Sequence, residues 1–117
     1  MTINNSFFSN RRSVTAKKMT ANPINPEDLE IILAAGIRVP DHGALNPWKL
    51  VVIQGSRLKE LDEEIILTEF KKDNQNASQS EIEIESTRLQ RGGVVIAVLS
   101  MPIDHPKIPL WEMQLSS

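Results

Sequence analysis

The side chains best suited to chemistry fall in two places. Arg11, Arg12 and Ser13, with Lys17 and Lys18 close behind, form a cationic run that ends in a hydroxyl. An arginine fork grips two phosphate oxygens at once and a serine hydroxyl adds a third bond, so the run suits a phosphate group; on spacing alone a solvated basic turn is the preferred reading. The second place is RVPDHGALNPW, residues Arg38 to Trp48. Pro40 predicts an extended Val39 and Pro47 an extended Asn46, so the segment is stiff at both ends. Arg38, His42 and Asn46 could then offer donors to a planar, hydrogen-bonding ligand, with Gly43 allowing close backbone approach. The alternative for these residues is a helix-to-strand connection in which Asp41 makes a local turn bond and His42 faces water.

Other combinations carry less. Ser56-Arg57-Leu58-Lys59 has the spacing of a serine-lysine nucleophile but lacks its companion motifs, and Ser56 is explained as a helix cap. Asp41-His42 and Asp104-His105 lack regular ligand spacing, so no metal is assigned. Gly92-Gly93 is neither a dinucleotide fingerprint nor a phosphate-binding loop. Trp48 and Trp111 read as core or interface aromatics.

These residues must be held by a small frame. A chain of 117 residues is at most one domain and buries only about two-thirds of its unfolded surface. A formal net charge of -2 and an aromatic content of 4% with no tyrosine speak against a nucleic-acid partner. With no cysteine, disulfides and thiolate chemistry are excluded and any redox reaction needs a cofactor. The longest apolar run, Val94 to Leu99, is too short for a bilayer, and Phe7 and Phe8 stand alone near the amino terminus, so a soluble, cytoplasmic protein without membrane contact is expected.

The periodicity supplies the elements. NPEDLEIILAAG predicts a helix capped by Asn25, with Pro26 at its first position, Gly36 at its end and Leu29, Ile32 and Leu33 facing a core. WKLVVIQG predicts a strand covered on both faces. A helix is expected from Ser56 to near Lys72, with Leu58, Leu61, Ile65 and Phe70 inward and acidic residues outward. Asp73 to Ser80 reads as a loop; in EIEIESTRLQR, Glu81 to Glu85 alternate like a strand while the surrounding charges suit a helix, and helix is preferred. GGVVIAVLS predicts a second strand, and the proline-broken tail ends in an incipient helical turn. Two strands do not make a stable sheet alone. If the second lost cover on one face, about three side chains at roughly 1.5 to 3 kcal/mol each would be forfeited, comparable with the roughly 5 to 15 kcal/mol that holds a domain together.

Taken in order, Arg11-Arg12-Ser13, the capped helix, RVPDHGALNPW running into VVIQG, then VVIAVLS and HPKIPLWEMQLSS resemble the amino-terminal part of the nitroreductase family, in its small-chain branch with Pro-Asp-His in the loop. The resemblance implies an α+β, nitroreductase-like fold, a three-layer α/β/α arrangement of sheet and helices spanning 1–117 as one domain. It also implies a chain truncated at the carboxy terminus, since family members continue with an interface helix, further strands and more flavin-binding residues. A cytoplasmic homodimer with FMN at the subunit interface would pass hydride from NAD(P)H to nitroaromatics, quinones or related acceptors in a ping-pong cycle. Arg11, Arg12 and Ser13 would hold the FMN phosphate and ribityl end. Arg38 and His42 would reach flavin bound mainly by the other subunit, and Asn46 would stand where relatives usually carry glutamine. Ala44 replaces a lysine frequent in close relatives, removing one positive charge. No side chain of the protein would act as catalytic acid or nucleophile. The alternatives are a non-catalytic flavin-binding fragment, a subunit that completes a longer paralogue, or a plain interaction domain.

Overall fold

A computed structural model describes residues 5–117, with side chains from Ser6 onward. Residues 1–4, part of the amino-terminal stretch read above for a signal core, lie outside the described residues. The elements run α1 (Asn5–Asn10), α2 (Pro26–Gly36), β1 (Trp48–Gln54), α3 (Ser56–Leu61), α4 (Leu67–Asp73), α5 (Gln79–Glu85), β2 (Val94–Ser100) and α6 (Leu110–Ser116). A π-helical turn at Asp62–Ile66 joins α3 to α4, and 3-10 turns lie at Ala16–Lys18 and His42–Ala44.

β1 and β2 pair antiparallel, from Trp48 opposite Ser100 to Gln54 opposite Val94. Trp48, Leu50 and Val52 therefore share one face with Ile96 and Val98, while Val51 and Ile53 share the other with Val95 and Ala97. α2 lies over the first face, where a Cβ added to Gly36 would stand 3.7 Å from Leu50. α3 lies over the second, so helix, sheet and helix form three layers as the sequence predicts. β1 pairs with β2 alone among the described residues, and its apolar side chains are half-buried rather than enclosed. Between α2 and the sheet an apolar cleft of about 320 Å³ remains, lined by Leu33, Val39, Trp48, Leu50 and Ile96.

Several local expectations need correction. α2 starts as predicted, with Asn25 Oδ1 accepting the Glu27 N–H at 2.9 Å, but Ile32 is exposed while Leu29 and Leu33 are half-buried. The cleft explains this, because the sheet reaches only one edge of the helix. On the helical segment after β1, Leu58 is buried, yet Ile65 is 52% exposed. The π-turn takes up one extra residue and rotates the following stripe, so that Ile66 and Leu67 turn inward in its place. Asp62, four residues after the buried Leu58, lies fully inside against the expectation that acidic residues face out. α5 starts at Gln79, inside the segment read as loop, because Ser78 and Glu81 form a capping box. α6 is a helix of seven residues rather than a single turn, and its Trp111 is 60% exposed, outside any core of this chain.

Candidate functional site

The loop from Arg38 to Pro47 joins α2 to β1, and its shape is set by one carboxylate. Asp41 Oδ2 accepts the Asn46 N–H at 2.8 Å, and the Asp41 carbonyl accepts the Ala44 N–H at 3.3 Å. This folding-back drives Gly43, Ala44 and Asn46 to φ of 75°, 51° and 47°. Asn46 is therefore left-handed rather than extended. Asparagine tolerates that region, and the bond to Asp41 outweighs the preference imposed by Pro47. Gly43 meets both conditions for which glycine is needed: its φ is positive, and a Cβ there would stand 2.6 Å from Ile108 Cδ1.

α6, its C-terminal Ser117 and Met101 after β2 fasten this loop at three points. At the front, Ser116 Oγ donates to the Pro40 carbonyl at 2.9 Å. In the middle, His42 Nδ1 lies 2.7 Å from Glu112 Oε2. At the back, the buried Pro47 carbonyl accepts the Met101 N–H at 2.7 Å and the Ser117 hydroxyl at 3.2 Å. Glu112 and Ser116 are four residues apart on one face of α6, and Met113 packs inward at 2% exposure. Ile108, also buried, lies under Gly43. Its own N–H and that of Lys107 donate to His105 Nδ1, both at 3.1 Å.

Of the residues predicted from sequence, Arg38, His42 and Asn46 share this loop and are exposed, with Arg38 tied to α2 through its backbone N–H and the Ala35 carbonyl at 3.2 Å. His42 is 65% exposed, yet it is paired with Glu112 rather than left to water. Arg11, Arg12 and Ser13 follow α1 and are also exposed. Arg12 Nη1 donates to the Ser9 carbonyl at 3.1 Å and the Arg11 carbonyl at 2.9 Å, so that segment is held by its own backbone. Among the described residues no hydrogen bond or ion pair links these three to the loop. Glu112, Ser116 and Ser117 escaped sequence reasoning. The i, i+4 spacing of Glu112 and Ser116 was the available signal, hidden because so short a tail read as a single turn.

The model of the Nitroreductase family matches residues 8–116. The chain belongs to the nitroreductase family. A protein of Haemophilus influenzae named "Putative NAD(P)H nitroreductase" is 33% identical over 105 residues, covering 86% of this chain and 54% of its own length. The similarly named YdjA of Escherichia coli K12 is 29% identical over 113 residues, covering 92% of this chain and 56% of its own. This nitroreductase-family chain thus spans about half the length of the curated relatives it matches. No helix among the described residues is long and apolar enough to cross a membrane, and no group of three or more His, Asp or Glu among them could hold a metal ion.

Proposed function

We propose that the chain binds FMN and, with NAD(P)H as electron donor, reduces a small acceptor of the nitroaromatic or quinone type. The observation that carries this reading is the family match over residues 8–116, which takes in both the Arg11-Arg12-Ser13 run and the fastened loop. The donor set fits the cofactor: exposed guanidinia and a hydroxyl suit a dianionic phosphate, and an exposed guanidinium, imidazole and amide on one stiff loop suit the polar edge of a planar ring.

When bound, FMN supplies the acceptance and release of hydride. The chain's residues bind and orient. Arg11, Arg12 and Ser13 hold the phosphate end. Arg38 brings positive potential and donors toward a flavin bound mainly by a second copy, His42 presents its remaining ring nitrogen, and Asn46 adds an amide. The outward apolar side chains of α6, Leu110, Trp111 and Leu115, are exposed and are consistent with cover by that second copy.

The test is anaerobic mixing of the FMN-loaded chain with NADH and then NADPH, following loss of the visible flavin absorbance. Bleaching followed by recovery on adding an acceptor supports the enzyme. Bound FMN that stays oxidised supports a second reading, a flavin-binding chain without turnover. That reading is favoured by the sparse core, with Leu58, Ile108 and Met113 as the buried apolar side chains besides Pro47 among the described residues.

A further inference from the structure

We infer that Glu112 is a positioning residue that fixes the ring of His42 for the ligand of the loop, an inference that rests on the proposed flavin site. An ionised carboxylate can only accept, so the 2.7 Å contact between Glu112 Oε2 and His42 Nδ1 places a proton on Nδ1. Free histidine in water has no such constraint. The ring is thereby held in one tautomer and one orientation, and Nε2, on the other side of the five-membered ring, is left for a ligand. His42 is 65% exposed against 31% for Glu112, so the loop partner faces outward while the helix partner is half-covered.

Glu112 is itself well placed for this work. Its helix is anchored by the buried Met113 one residue on, and Ser116 on the same face ties α6 to Pro40, two residues before His42. The loop's own carboxylate, Asp41, is engaged with the Asn46 N–H, and Glu112 is the carboxylate paired with His42. The Glu112 bond therefore sets the imidazole on a loop whose curvature Asp41 already fixes.

The experiment combines ring 15N NMR of His42 with FMN titration of the wild type, Glu112→Gln, Glu112→Leu, His42→Ala and the Glu112→Leu/His42→Ala pair. In the wild type the neutral ring should show a protonated Nδ1. Glu112→Gln keeps an acceptor and should keep that tautomer, whereas Glu112→Leu should release the ring to the Nε2-protonated form. Losing a charge-assisted bond should weaken FMN binding by about tenfold in Glu112→Leu, and the same change made in His42→Ala should add nothing. A wild-type ring protonated at Nε2 alone overturns the inference, as does an undiminished effect of Glu112→Leu without the imidazole. If Glu112→Leu does not fold, the wild-type and Glu112→Gln spectra decide. If the wild type takes up no FMN, the proposed function falls and the ring spectra still decide the role of Glu112.

Discussion

At Asp62 a carboxylate with 0% of its surface exposed accepts the Leu89 N–H at 2.8 Å, the Gln90 N–H at 3.1 Å and the Gln90 side-chain amide at 2.9 Å. Those bonds tie the helical segment after β1 to the turn that leads into β2. Asp62→Ala should orphan both backbone donors at about 1–3 kcal/mol each, seen as accelerated amide exchange at Leu89 and Gln90 and a lower urea midpoint; unchanged exchange would refute the role. In the loop, Ala44→Gly should hold or slightly raise stability, since about 1–2 kcal/mol of left-handed strain is relieved against about 0.5–1 kcal/mol of glycine entropy. Gly43→Ala should lose stability, because its Cβ would collide with Ile108. The residue types of the loop were legible: Asp41 as turn former and Gly43 as the permissive position follow from their chemistry. The burial of Asp62 was only half legible: four residues after Leu58 and three before Ile65 it stands in the apolar stripe, unlike Glu60, Glu63 or Glu64, but its charge reads as outward and the donors that satisfy it, at Leu89 and Gln90, lie far along the chain.

α5 is a seven-residue helix that starts at a capping box, and its pH response follows from that box. The Ser78 backbone N–H at 2.7 Å and its hydroxyl at 2.9 Å both donate to Glu81 Oε2, and these bonds, the backbone one first, hold the Glu81 carboxyl below its ordinary value. A depressed carboxyl contributes stability above its unfolded-state value and loses it as pH falls through the folded one. Protection of the amides at the start of α5, corrected for their intrinsic exchange rates, should therefore fall on acidification; Ser78→Ala, which keeps the backbone donor, should weaken that dependence, and Glu81→Gln should remove it. The segment before α6 depends on His105 in a different way. His105→Ala should leave the Lys107 and Ile108 N–H groups without their acceptor and cost about 0.5–1.5 kcal/mol, while His105→Asn, whose carbonyl can accept, should recover part of it in thermal unfolding. The elements themselves were largely readable from periodicity, but the reading of Asp73 to Ser80 as loop passed over the Ser-x-x-Glu signal that starts α5. The π-turn was not readable, since its signature is a displaced stripe that a short helix with apolar residues at 65, 66 and 67 does not resolve.

On the scale of the molecule, the radius of gyration is 18.2 Å, against about 13 Å expected for a compact domain of this length. Three layers are present, yet Val98, Leu99, Ile31, Ile32 and Trp111 remain exposed, and the sheet has two strands. The weak cover of the strands was legible from the count of apolar segments. Which face stays open was not, because it depends on how α2 sits across β1. If a second copy supplies cover, the thermal midpoint should climb with chain concentration, and a midpoint independent of concentration would speak against the homodimer. The most direct test of the proposed flavin site as a whole is fluorescence titration of FMN into the purified chain. Saturable quenching at one FMN per chain, weakened in Arg12→Ala and Arg38→Ala, is the predicted result; FMN fluorescence unchanged across the titration would contradict the account.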